Sequence, residues 1–196
     1  MLLDFKIIFA VLAVVFNLIA FYVYIKDVFI GKTKPHIYTW LIWTITQGTA
    51  TFGLWYGGGG LGAIELTIGT CLVFFVFLFS IFRGTKNITK IDTVFLILSF
   101  IAIFIWWQLQ SLVLAVIMVS IIDMLGYFPS FRKTWMEPYS ETISTWLLFS
   151  LGNIFSIMAL TKFNALTLTY LITISVLNMA VVGICLYRRN KVVALN

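Results

Sequence analysis

The chain reads as all-α, a polytopic membrane protein whose seven transmembrane helices form two parallel three-helix repeats plus a linker helix. Three observations predict this. The first is composition: of 196 residues, 62% are hydrophobic and 10% charged, against about 45–50% and about 25% in a soluble domain. So few charges cannot cover a water-facing surface, which sets aside a soluble enzyme, a nucleic-acid binder and a disordered tail. The second is a succession of seven apolar runs, each long enough to cross about 30 Å of hydrocarbon as a helix. The third is that the first three runs resemble the last three at a fixed offset.

The runs fall at 7–25, 37–56, 61–82, 93–108, 112–131, 143–161 and 165–187. Together they make residues 1–196 a single membrane domain, with a first repeat at 7–83, a linker helix at 93–108 and a second repeat at 112–187. The first run has no A-x-A-like cleavage site, carries only Lys6 before it and continues into Lys26, so it reads as a permanent helix and not a signal peptide. The fourth is the shortest and ends in Trp106–Trp107, an interfacial anchor. Cys71 and Cys185 both lie inside apolar runs with no CxxC or Cys/His grouping and read as small hydrophobes.

The net charge of +6 is unevenly spread. Lys6 and Lys162 fall on one side; Lys26, Lys32, Lys34, Arg83, Lys86, Lys90, Arg132, Lys133, Arg188, Arg189 and Lys191 fall on the other. Short loops this biased place the basic side in the cytoplasm, hence the N-terminus outside and the C-terminus inside, in a cell (inner) membrane of bacterial type. The charge reads as topology and contact with the lipid bilayer; no nucleic-acid partner is expected.

An offset of 106 residues places Thr39–Trp40 on Thr145–Trp146, Lys26 on Arg132, Asn17 on Asp123 and Gln47 on Asn153. In the third helix of each unit the offset becomes 105, which aligns Arg83 with Arg188. With one helix left over as linker, both units enter the membrane in the same direction, the parallel-repeat plan of transporters whose solute site lies near the midplane.

This 3+1+3 pattern resembles the SWEET and PQ-loop superfamily of small-solute carriers, including the related vitamin-precursor permeases. The residues that carry the resemblance are Tyr127-Phe128-Pro129-Ser130-Phe131-Arg132-Lys133, Ser144 and Leu151-Gly152-Asn153 in the second unit, with Gly31-Lys32-Thr33-Lys34-Pro35 and Thr39-Trp40 in the first. Ser130 stands where that family usually has glutamine, and Val23-Tyr24 where the Pro-Gln pair of the first unit would fall. Sugar-carrying members have a proline in each of four helices; here only Pro129 fits that pattern.

Asn17, Gln47, Asp123 and Asn153 each lie about 10–11 residues into a span, roughly 15 Å deep and near the midplane; Asn178 lies somewhat past it. An Asp at a helix centre costs about 2.5–3.5 kcal/mol to insert, so it should face the bundle interior or water. These five residues are the expected substrate-binding site, with Trp43 able to stack on a flat or sugar-like solute. The alternative is interhelical hydrogen bonding, which contributes about 0.6 kcal/mol on average. No span holds a Lys or Arg near its midplane. That leaves Asp123 protonated and a candidate for proton coupling, bonded to Asn17 across the pseudo-axis, or bound to a cation or solute.

Asp123, Gly126, Tyr127 and Ser130 share a helix face, as do Asn17, Phe21 and Tyr24. Gly126 and Pro129 bracket a place where the fifth helix can kink, either as a plain bend or as a hinge at Pro129. Trp40 and Trp146 read as belt anchors or ligand platforms, and Glu65 as a solvated helix end or a lure for cations. His36 reads as an interfacial residue or a pH sensor, and Gly57–Gly60 as a flexible outer turn.

An enzyme is not expected, and neither a cofactor nor a metal. The chain has one His and no HExxH, G-x-S-x-G or ligand cluster. Only Asp123 has the depth an intramembrane aspartyl protease needs twice, and no span carries a Lys for a retinal Schiff base. The expected function is a small-solute transporter for a neutral polar or cationic solute, working by alternating access. The competing expectation is a non-transporting membrane receptor or scaffold subunit. Seven helices enclose little volume, so a homo-oligomer is a further option.

Overall fold

The computed structural model describes residues 2–30, 35, 37–84, 90–136, 138–139 and 143–193. Among these residues there are seven α-helices: α1 (Leu2–Phe29), α2 (Ile37–Tyr56), α3 (Ile64–Arg83), α4 (Lys90–Leu109), α5 (Leu112–Met136), α6 (Ile143–Ala159) and α7 (Ala165–Val193). A short 3-10 turn, Gly60–Ala63, leads into α3. The long helices outrun the apolar spans expected inside them. α1 has 28 residues and α7 has 29, about 42 Å at 1.5 Å each, because their polar ends continue the hydrogen-bonded spiral past the apolar run.

Among the described residues three helical stretches are long and apolar enough to cross a membrane: Leu3–Phe29, Gly60–Phe82 and Ala165–Lys191. Leu96–Ile105, Leu112–Tyr127 and Ile143–Ala159 are shorter apolar helices. α2 is long but less apolar, since it carries Thr39, Thr44, Thr46, Gln47, Thr49 and Thr51. Much of that polarity is absorbed locally: Thr44 donates to the Trp40 carbonyl at 2.7 Å, Thr49 to the Ile45 carbonyl at 2.8 Å, and Thr51 pairs with Thr70 at 2.8 Å. The exterior is apolar, with Phe5, Ile8, Val11, Val15, Tyr22, Phe100 and Phe104 exposed, while Asn17, Glu65, Asp123, Asn153 and Asn178 are buried. Apolar outside and polar inside is the distribution of an integral membrane protein.

The helices form a closed ring in which α1 neighbours α6, then α7, α5, α2, α3 and α1 again. α3 also touches α6, and α2 touches α7; α4 lies outside the ring on α2 and α5. Exchanging α1, α2 and α3 with α5, α6 and α7 leaves these ring contacts unchanged. Only α4 breaks the exchange.

One end of the bundle carries the α2–α3 turn and the α6–α7 connection, and is called the turn end below. Gly58 (φ +79°) and Gly60 (φ +60°) adopt left-handed backbone, which suits residues without a Cβ. The Thr161 amide donates to the Gly59 carbonyl at 2.9 Å, the Asn164 side chain to the Gly57 carbonyl at 2.8 Å, and Lys6 to the Leu160 carbonyl at 2.6 Å. A Cβ on Gly62 would stand 2.5 Å from the Ser156 carbonyl oxygen. The glycine run is therefore a packed latch and not the flexible turn its composition suggests, because absent side chains let two backbones meet.

At the opposite, basic end, Arg188 Nε donates to the Trp135 carbonyl at 2.8 Å and Arg189 Nε to the Pro138 carbonyl at 2.9 Å. The Arg188 guanidinium also lies 5.0 Å from the Trp135 ring centroid, an arrangement that joins charge to an aromatic face. α7 is thus tied to the end of α5 and the segment after it.

Candidate functional site

Two buried carboxylates organise the polar interior. Glu65 sits in the first turn of α3, yet only 2% of it is exposed. This corrects the expectation of a solvated helix end: the 3-10 turn tucks the start of α3 beneath α6. Asn17 of α1 donates through Nδ2 to Glu65 Oε1, and Ser156 of α6 donates through Oγ to Oε2 at 3.0 Å. Two glycines let these helices close around the acid. A Cβ on Gly69 would meet Asn17 Nδ2 at 3.4 Å, and one on Gly152 would meet the Ala13 carbonyl at 3.3 Å and Glu65 Oε1 at 3.8 Å.

Asp123 of α5 is also buried, with 3% exposed. The Tyr170 hydroxyl of α7 donates to its Oδ2, and the buried Thr46 hydroxyl of α2 lies against both groups. Beside them the Tyr127 hydroxyl donates to Asn178 Oδ1 at 2.7 Å, joining α5 to α7. Asp123 therefore does not bond Asn17 across the pseudo-axis: α1 and α5 are not neighbours in the ring, and each residue is held by the third helix of its own unit.

The six residues expected to bind substrate are distributed as follows. Asn17 belongs to the Glu65 centre, Asp123 to the Tyr170 centre, and Asn178 to Tyr127. Asn153 Nδ2 donates to the Phe149 carbonyl of its own helix at 2.7 Å. Gln47 is half-buried on α2. Trp43 packs edge-on against Trp40, with ring centroids 5.2 Å apart, beside a core of Phe21, Val73 and Val76. Among the described residues no hydrogen bond joins any two of the six, so there is no single polar network.

Unmet oxygens are what four of them share. Asn17 Oδ1, Gln47 Oε1, Asp123 Oδ1 and Asn153 Oδ1 are all buried without a hydrogen-bond partner, as is Ser175 Oγ. Buried polar atoms are nearly always satisfied, and an orphan costs about 1–3 kcal/mol. The three amide oxygens accept and do not donate, and the Asp123 oxygen does the same when ionised, so the complement they lack is a donor: water, a hydroxyl, an ammonium or another cation. Two hollows lie away from these groups. One of about 620 Å³ opens between Phe52, Tyr56, Trp107, Gln110 and Leu166 near the α4–α5 turn, and a small apolar one lies between Ile25, Val28 and Phe75.

Other expectations are revised by packing. Trp40 is a buried core residue against Tyr24 and Trp43 and not a belt anchor, while the half-buried Trp146 packs on Tyr127; Trp107, 72% exposed, is free to lie at an interface. α5 continues as helix from Leu112 to Met136, through residue 129. The side chains of Trp106, Pro129, Ser130, Arg132 and Lys133, and residues 31–34 and 36 with Lys32, Lys34 and His36, lie outside the described residues. Among the described residues no group of three His, Cys, Asp or Glu could hold a metal ion.

Glu65 is the functional candidate that composition and depth missed, because it begins its helix. A signal was present all the same. The offset of 105 that aligns Arg83 with Arg188 also aligns Glu65 with Tyr170. Asn17–Glu65 and Asp123–Tyr170 are thus equivalent pairs. No family model, curated protein or solved structure matches the chain.

Proposed function

We propose that this protein is a small-solute membrane transporter of the SWEET/PQ-loop type, carrying a neutral polar or cationic solute by alternating access. All seven helices would span a cell membrane, with the turn end and N-terminus outside and the basic end in the cytoplasm. One observation carries the reading: the four repeat-related residues Asn17, Gln47, Asp123 and Asn153 each keep a buried acceptor oxygen without a partner. Groups that merely held helices together would spend these oxygens on one another. The helix ring, unchanged on exchange of its two units, supports the same reading, since two similar halves that rock against each other expose a central site to each side in turn. The described form is closed at the turn end by the Gly57–Gly60 latch and tied at the basic end by Arg188 and Arg189.

A receptor or scaffold is the second reading. It is favoured by the interhelical bonds of Asn17, Asp123 and Asn178, which use one end of each group structurally. A thermal-shift screen against sugars, nucleosides, amines and amino acids discriminates between them, because a solute that binds the folded form raises its melting temperature. The transporter should respond to at least one class, and proteoliposomes should accumulate that solute. Asp123→Asn should reduce the flux at least tenfold while the protein still folds. A folded protein that responds to no class, and tolerates apolar replacements at Gln47 and Asn153, is a scaffold.

A further inference from the structure

We propose that Glu65 is a proton-binding site, served from the turn end and equivalent in the first three-helix unit to the Asp123 centre in the second. Its direction of access rests on the carrier reading above, in which the turn end opens to the outside. Glu65 is held by neutral partners alone, the Asn17 amide and the Ser156 hydroxyl. The charged groups on the elements packed around it are few. α1 presents Asn17 at this level and Asp4 and Lys6 towards its start, and Lys6 is spent on the Leu160 carbonyl. α2, the 3-10 turn and α6 contain no Asp, Glu, Lys, Arg or His. A carboxylate buried with no cation to balance it is costly, and binding a proton removes that cost.

The partners suit both protonation states. The Ser156 hydroxyl 3.0 Å from Oε2 donates to a carboxylate, and by rotating its hydrogen it accepts from a carboxylic acid without moving a heavy atom. The second independent observation is Asn17 Oδ1. This buried acceptor is without a partner, on the same amide whose Nδ2 already contacts Oε1. It offers a second place for the new O–H to point, or for the water that delivers the proton.

Position supplies the route. Ser156 belongs to the stretch of α6 whose carbonyl oxygen abuts Gly62, directly under the latch formed by Gly59 with Thr161 and Gly57 with Asn164. Parting α6 from the turn withdraws the Ser156 hydroxyl from Glu65 and lets water in. A hydronium ion then gives its proton to Oε2, leaving the neutral acid and a water molecule. The reverse transfer returns the proton to water. The Tyr170 and Thr46 hydroxyls give Asp123 the same ambivalent surroundings on the other side of the ring.

Infrared difference spectra of the purified full-length protein, titrated from acid to alkaline pH, test this through the carbonyl stretch of protonated carboxyl groups. Beyond the absorption that its other carboxyl groups lose as pH rises, the wild type should lose two further components; E65Q should lack one of them and D123N the other. A spectrum that E65Q leaves unchanged at every pH, or a Glu65 component that persists throughout the titration, overturns the proposal. Where E65Q does not fold, S156A serves, and should move the pH at which the Glu65 component disappears; an unmoved titration counts against the site. A melting temperature raised by sodium or lithium chloride over potassium chloride, with the rise abolished in E65Q, overturns it in favour of a metal cation. The solute screen reads the carrier alone, so a protein that titrates at Glu65 but answers no solute keeps this site and loses the transporter.

Discussion

In the first three-helix unit the buried acid sits on α3 and its amide partner on α1; in the second the acid sits on α5, and the aligned position on α7 is a tyrosine. The residue types have changed places, yet the construction is the same. A carboxylate is bonded between the first and third helices of its unit, and the second helix of the other unit contributes a hydroxyl, Ser156 from α6 or Thr46 from α2. Even the hydroxyl has shifted, since Thr46 aligns with Gly152 and lies one turn from the position aligned with Ser156. What the two halves retain is one carboxyl group at the junction between units, whichever helix supplies it.

The largest expected effect lies where the halves differ in backbone approach. Gly62 aligns with Thr167, yet its missing side chain is replaced by the Ser156 carbonyl at 2.5 Å and the Leu160 amide at 2.8 Å from a Cβ. Gly62→Thr should destabilise by about 1–3 kcal/mol or more, as overpacking against rigid backbone does. Thermal unfolding in detergent checks this, and an unchanged midpoint would show that the latch does not close as described.

Next come the acid partners. Asn17→Leu and Tyr170→Phe each remove a donor from a buried carboxyl and should each cost about 1–3 kcal/mol. Similar losses in equilibrium unfolding would confirm the equivalence of the two centres, while a large loss in one and none in the other would break it.

The helix starts differ as well. α7 is capped by Asn164, whose Oδ1 accepts from the Leu166 and Thr167 amides at 2.9 and 3.2 Å, whereas Ala63 before α3 offers no side-chain cap. Asn164→Ala should therefore cost about 1 kcal/mol, and hydrogen exchange should rise in the first turn of α7 but not in α3. The smallest change is Tyr127→Phe. It removes a neutral bond to Asn178 that has no counterpart in the first unit, where Phe21 and Val73 occupy the aligned positions, and should cost about 0.6 kcal/mol. A loss several times larger would mean that Asn178 is part of the Asp123 centre.

Much of this arrangement was legible in the chain. Apolar runs located all seven helices, since hydrophobic length is a local property, and the offset of 106 picked out Asn17, Gln47, Asp123 and Asn153. These are four of the five residues left with unmet oxygens. For Asp123 the amino-acid order offers a proton, Asn17, or a bound cation or solute; its partner is a tyrosine hydroxyl, which hydropathy counts as aromatic. Glu65 and Trp40 were misplaced for a common reason. Both lie near span ends, where depth along one helix suggests solvent or lipid, but a neighbouring helix or turn covers them.

Helix positions, the apolar exterior and the paired polar positions follow from the amino-acid sequence by itself, because each depends on the order of residues within a single spiral. Which polar groups meet was decided by the tertiary structure alone. A carboxyl on α3 reaches an amide on α1 and a serine on α6 only after Gly62, Gly69 and Gly152 have let those backbones approach. Close approach of this kind depends on three segments distant in the chain, and no one-dimensional pattern encodes it.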